Sequence, residues 1–188
     1  MAGVEGSTNA DSIRNYKTCN GNMLTRQIIT SDGQVTKPYQ SAFYARRNGN
    51  TSIGINTAVV FDNTPMNTGA DYNTSNGIYT APYSGVYIFN YTMLIQSPPN
   101  DLEIDHYLNT SNDAYIGGMP GRHRYLTAGA TGWGDGYIGM GHSQICYMDA
   151  GDTAYVYFSQ LFTSSNQTVT LYGNSGNNWT KFSGYFLG

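Results

Sequence analysis

Three histidines stand near acidic residues in this chain, and that pairing could do metal chemistry. His106 lies in "DLEIDHY" (101–107), His142 closes "GWGDGYIGMGH" (132–142), and His123 precedes that stretch. Imidazole and carboxylate are ligand types for zinc or a hard cation, yet the spacing matches neither a zinc motif nor an EF-hand loop. No metal and no cofactor is expected. There is no Gly-x-Ser-x-Gly elbow, no phosphate-cradling loop and no defensible carboxylate pair, so the expectation is a protein that is not an enzyme. Cys19 and Cys146 lie far apart without CxxC spacing, which argues against a zinc knuckle or redox motif and leaves open whether they are bridged.

A second group could recognise a surface instead of transforming a substrate. The glycine-rich run "YIGGMPGRHRYLTAGATGWGDGYIGMGH" (115–142) offers Tyr125, Trp133 and Tyr137 as stacking rings, with Arg122 and Arg124 as donors to hydroxyls or carboxylates. A host glycan or a protein surface would suit them. The simpler account is that the glycines serve tight turns and the rings pack on the domain itself.

The elements that must position these residues are strands. The chain has 188 residues, enough for one domain with a sizeable core. Only 11% are charged and the net charge is −3, so no basic stripe exists to meet a phosphate backbone, and nucleic acid is excluded as a partner. No apolar run is long enough to span a bilayer, and no membrane partner is expected. The start "MAGVEGSTNADSIRN" has neither a basic n-region nor an apolar h-region. The expectation is a chain without a signal peptide, although a processed secreted chain would differ only in lacking the initial Met. The polar residues are chiefly Asn, Thr, Ser and Gly, a turn-and-strand vocabulary that helices disfavour. The expected strands are 41–47, 57–61, 85–95, 153–162, 168–173 and 181–187.

Residues 1–40 read as a short N-terminal arm: a small, polar start, then two short strands around Asp32-Gly33, stopped at Pro38. The domain proper is expected over 41–188.

The run "VVFDNTPMNTGADYNTSNGIYTAPYSGVYIF" (59–89) resembles the globular C1q domain, a jelly roll related to the tumour necrosis factor fold. The family pattern falls on Val60, Phe61, Asp62, Asn67, Gly69, Tyr72, Gly77, Tyr79, Pro82, Gly85, Tyr87 and Phe89. "AF" at Ala42 and Phe43 resembles the first strand. "AGDTAYV" (150–156) resembles the turn before a late strand, and "FSGYFL" (182–187), with Phe182 and Gly184, the terminal one. Coverage runs from 41 to 188, weakest over 97–145. The resemblance implies an all-β jelly-roll sandwich forming a compact homotrimer. Two departures move the reading away from a secreted animal protein: the sequence holds no Gly-X-Y stalk and no signal peptide.

In 85–95 alternate positions Tyr87, Phe89, Tyr91, Met93 and Ile95 form a core face. The other face, Val86, Ile88, Asn90, Thr92 and Leu94, is too apolar for open water and too polar for a dry interior. Burial at a trimer axis would account for it. The expected function is a virion structural protein made in the host cytoplasm: a trimeric capsid decoration or cement protein whose arm grips other virion proteins such as the major capsid protein. The alternatives are the host-recognition head of a bacteriophage tail fibre or spike, and an extracellular C1q-like recognition protein.

Overall fold

The computed structural model describes residues 13–19, 22–30, 32–97, 103–112, 136–162, 168–176 and 178–188. Every regular element among them is a strand. Contacts divide the chain into two units, Met1–Gln40 and Ser41–Gly188. In the first, β1 (Ile13–Cys19), β2 (Asn22–Ile29) and β3 (Val35–Thr36) form an antiparallel sheet in that order. The turn after β2 closes by the Gly33 N–H donating to the Thr30 carbonyl at 2.9 Å.

The second unit is a sandwich of two sheets. One has four strands in the order β10 (Glu103–Thr110), β12 (Thr153–Phe162), β8 (Ile78–Thr80), β7 (Tyr72–Asn73). The other has seven. It runs β5 (Thr51–Gly54), β13 (Thr168–Leu171), β9 (Gly85–Gln96), β14 (Lys181–Phe186), β4 (Ala42–Arg46), β6 (Asn63–Thr68), and β11 (Tyr137–Met148) pairs along the other side of β9. β9 is thus the spine of this sheet, and its strict alternation buries Tyr87, Phe89, Tyr91, Met93 and Ile95.

Aromatic residues dominate the core, and the hydroxyls of Tyr72, Tyr79 and Tyr87 each have a partner. Phe43 stacks on Tyr72 at 4.8 Å and on Tyr79 at 5.0 Å and meets Phe182 edge-on at 4.9 Å. The Tyr72 hydroxyl accepts the Phe61 N–H at 3.0 Å. Ser41 Oγ donates to Asp71 Oδ2 at 2.5 Å, so the proton in its 2.7 Å bond with Tyr79 comes from the phenol. The Tyr87 hydroxyl donates to the Tyr83 carbonyl at 2.6 Å. Each ring therefore adds apolar area without orphaning a polar atom, the condition under which buried tyrosine stabilises.

The family-like run supplies the turns that bring those rings together. The Asn67 side chain bonds both the N–H and the carbonyl of Tyr72, at 3.1 and 2.8 Å, which locks the β6–β7 corner. Gly77 has φ +77°, and a Cβ there would collide with the Val59 carbonyl oxygen. Only glycine satisfies both conditions.

Three departures from the expected strands have local causes. Residues 57–61 do not form a strand; they make an isolated bridge, Ala58 to Tyr157. The Asn56 and Val59 N–H groups bond the carbonyls of Phe158 and Val156, three residues on one side against two on the other, and this slip in register with Asn56 at φ 54° breaks the ladder. Val59 and Phe61 are nonetheless fully buried. β10 was not among the expected strands, because its buried face mixes Ile104 and Leu108 with His106 and Thr110. β11 was read as part of a glycine-rich connection, yet residues 137–148 pair with all twelve residues of β9.

Candidate interaction face

The outward face of the seven-stranded sheet carries the sequence-predicted β9 positions. Val86, Ile88 and Leu94 are half-buried, and Asn90 and Thr92 are exposed. Register extends this row of side chains into rows across the sheet. One reads Ile145, Ile88, Tyr185, Ala42, Thr68; the next Ser143, Asn90, Ser183, Tyr44, Met66; the third Gly141, Thr92, Lys181, Arg46, Asn63. Beside the first row Tyr147 opposes Val86. Ile145 and Tyr147 are 56% and 59% exposed, and Tyr185, Leu187 and Met66 are exposed as well. Single surface apolars are ordinary, and the grouping of Ile145, Tyr147, Ile88 and Tyr185 on neighbouring strands of one sheet face is the feature that sets this face apart.

Toward the Gln96 end of β9 this face opens into a groove of about 900 Å³. Its lining includes Leu94, Tyr137, Gly139, Asn178, Trp179 and Lys181. Thr92 Oγ1 donates to the Trp179 carbonyl at 2.8 Å, which holds the half-exposed indole at the rim. Tyr172 links the walls: its ring lies 5.5 Å from Trp179 and 5.3 Å, edge-on, from Tyr137.

Of the sequence-predicted recognition residues, Tyr137 sits in this groove, while Arg122, Arg124, Tyr125 and Trp133 lie outside the described residues. Trp179 and Lys181 were missed. Their signal was a tryptophan two residues before the terminal family-like strand, in "NNWTKFSGYF". The family-motif residues turn inward instead: Phe61, Tyr72, Tyr79, Tyr87, Phe89 and Phe182 are core.

His106 and His142, the two described histidines, stand apart from any metal-ligating group. Among the described residues no three His, Cys, Asp or Glu side chains stand close enough to hold an ion. His106 Nδ1 lies 2.7 Å from Tyr91 Oη, the His142 ring is 6.4 Å from the Tyr91 ring, and His123 lies outside the described residues. Cys146 is a buried free thiol, its pKa pushed up to about 11 by burial. Burial likewise raises Tyr72, Tyr79 and Tyr91 beyond the usual phenol range. Burial thus holds these groups in their neutral forms. Among the described residues no helix is long and apolar enough to cross a membrane.

A two-sheet antiparallel sandwich with a terminal strand inserted beside its first strand, and one broad exposed face, defines a jelly-roll domain of the C1q and tumour necrosis factor type. The C1q domain family matches residues 42–187, and the chain belongs to it. Solved structures give the same fold at low identity. The globular domain of zebrafish complement 1qA aligns with TM-score 0.51 and 12% identity, over 79% of this chain and 98% of that one. Eiger TNF from S. frugiperda aligns with TM-score 0.54 and 14% identity, over 79% and 93%. Murine APRIL aligns with TM-score 0.52 and 12% identity, over 79% and 99%. No curated protein matches the chain by sequence. Domains of this type are typically non-enzymatic ligand-binding modules.

Proposed function

We propose that the chain is a non-enzymatic module that assembles as a homotrimer through the outward face of its seven-stranded sheet and serves as a structural protein on a virion surface. The observation that carries the assembly is the apolar row Ile145, Ile88, Tyr185 with Tyr147 and Val86 beside it, in which Ile145, Tyr147 and Tyr185 are exposed and Ile88 and Val86 half-buried in the single chain. At about 25 cal/mol per Å², a thousand Å² of apolar area withdrawn from water contributes roughly 25 kcal/mol before association and ordering costs. Val86, Ile88 and Asn90 fall in this contact, while Thr92 and Leu94 border the groove.

The virion role rests on composition and on the separate unit Met1–Gln40. A small three-stranded sheet joined to a self-associating head suits a decoration or cement protein, with three arms gripping neighbouring capsid subunits and the heads facing solvent. A second reading, a recognition head for a cell-surface glycan, is favoured by the aromatic groove. Family membership also favours a secreted recognition protein in place of a viral one.

Sedimentation of the full chain at micromolar concentration tests the assembly, and a stable monomer overturns it. Deleting residues 1–40 separates the roles. A cement protein loses particle binding and stays trimeric, whereas a recognition head keeps its ligand.

A further inference from the structure

The sequence holds three Asn-Gly pairs, at 20–21, 48–49 and 76–77, and the last two lie among the described residues. Such a pair can react with itself. The glycine amide nitrogen attacks the asparagine Cγ; that C–N bond forms as the Cγ–Nδ2 bond breaks, and ammonia leaves with the glycine N–H proton. Water then opens the five-membered imide at either carbonyl, giving an aspartate or its β-linked isomer. Glycine permits the attack because no Cβ stands in the way. The fold decides whether the two groups are free to meet, and the two pairs differ.

At Asn76-Gly77 neither group is free. The Gly77 N–H donates to the Asn73 carbonyl at 2.9 Å, and Asn76 Oδ1 accepts the Ile78 N–H at 3.0 Å. Gly77 is buried at φ +77°, and the Val59 carbonyl oxygen stands 2.4 Å from where a Cβ would be. This corner must open before the ring can close.

Asn48-Gly49 lies between β4 and β5 and is held by other atoms. The Asn48 N–H donates to Asp62 Oδ1 at 2.9 Å, and the Gly49 carbonyl accepts Arg47 Nε at 2.9 Å. Those bonds leave the reacting groups alone. Among the described residues neither the Asn48 carboxamide nor the Gly49 N–H makes a hydrogen bond. Asn48 is exposed, and beyond the adjoining residues no described atom lies within 4 Å of a Cβ built on Gly49. Water reaches the site, and the ring has room to close.

From this contrast we infer that Asn48 is a site of spontaneous modification in the folded protein, and that the modification loosens an edge of the seven-stranded sheet. The new carboxylate arises beside Asp62, the very group that holds the Asn48 N–H, and like charges there repel. The β-linked isomer also adds a backbone carbon between residues 48 and 49. No slack accommodates it. Gly173, which follows β13, approaches so closely that a Cβ on it would stand 2.3 Å from the Gly49 carbonyl oxygen, and its N–H donates to Asn50 Oδ1 at 3.1 Å. The added carbon therefore disturbs the seat of β5 on β13, and β5 is the outer strand of the sheet. The inference depends neither on self-association nor on a virion role.

The test ages the full chain in mildly alkaline buffer, folded and in urea, and follows both sites by peptide mass mapping with fragmentation. Conversion reads as a gain of about 1 Da at the asparagine. In the folded protein Asn48 is expected to convert at least about tenfold faster than Asn76, whereas in urea the two rates should be similar. Gly49→Ala puts a methyl into open space, so it should not lower the urea midpoint of fresh protein, and it is expected to slow conversion of Asn48 about tenfold. Aged parent should then unfold at lower urea than fresh parent, while aged Gly49→Ala keeps its midpoint. Equal rates at the two sites in the folded protein overturn the assignment, as does the same preference for Asn48 in urea, which would place its cause in the sequence alone. Conversion of Asn48 with an unchanged midpoint overturns the link to the sheet edge.

Discussion

Tyr91 and His106 meet across the interior of the sandwich. Tyr91 Oη on β9 lies 2.7 Å from His106 Nδ1 on β10, with the rings edge-on at 5.6 Å, so a buried polar contact ties the middle of the seven-stranded sheet to the four-stranded one. Both side chains are almost wholly buried, where removing one partner costs more than the bond returned. Tyr91→Phe keeps the ring and removes the hydroxyl. It is expected to lower stability by about 1–3 kcal/mol, read from the urea midpoint at an unchanged m-value. A midpoint equal to the parent's would mean that the hydroxyl contributes nothing across the sheets.

Ile145 is 56% exposed in the single chain, directly opposite Ile88. A charge there costs the isolated domain little, because the side chain already meets water. In a trimer the same charge is desolvated without a partner. Ile145→Asp is therefore expected to weaken self-association by about 100-fold or more while leaving the circular dichroism spectrum and melting cooperativity of the sandwich intact. Unchanged mass at micromolar concentration would place the assembly contact elsewhere or remove it.

What the sequence disclosed follows from how directly each residue's type reports its surroundings. Phe43, Tyr72, Tyr79 and Phe182 were marked by their resemblance to the family pattern, and in the structure they are buried and stack on one another. The alternation of β9 was equally plain, since every second residue is large and apolar. β10 was obscured because His106 and Thr110 occupy core positions that become tolerable only once a partner such as Tyr91 arrives from the other sheet. β11 was obscured by Gly139 and Gly141, which read as loop residues but lie in a strand against β9. Trp179 was passed over for Trp133 because its setting depends on Thr92, 87 residues away in sequence. Contacts between strands so far apart leave no local signature.

Cys146 lies on the inward side of β11, opposite Tyr87, with its thiol pKa raised by burial from 9.0 to about 11. A thiol whose folded value exceeds its unfolded value contributes stability that is complete below pH 9. That contribution is lost as pH climbs through 11, because the unfolded chain releases the proton first. The raised Tyr72, Tyr79 and Tyr91 act in the same direction at higher pH. Unfolding free energy is expected to begin falling near pH 9, and Cys146→Ala should lose part of that slope between 9 and 11. The native thiol should also resist iodoacetamide at pH 8 until denaturant is added. Rapid alkylation of the folded protein would show that the thiol is not enclosed.

Gly184 and Gly139 give opposite outcomes for the same substitution. Both lie within strands of the same sheet, so loss of glycine's backbone freedom favours alanine at either position by a similar amount. At Gly184, however, a Cβ would stand 2.5 Å from a ring carbon of Phe43 and 2.6 Å from one of Phe89, and both rings are fully buried among other rings. Other rings pack against both of them, and overpacking of this kind costs about 1–3 kcal/mol. Gly184→Ala is therefore expected to lower the unfolding free energy by that amount, whereas Gly139→Ala, with only Leu94 Cδ1 at 3.9 Å, should leave it unchanged or raise it slightly. Paired thermal and urea unfolding of the two variants checks this. Equal losses at both sites would mean that strand glycines here are set by backbone geometry and not by what a Cβ would touch.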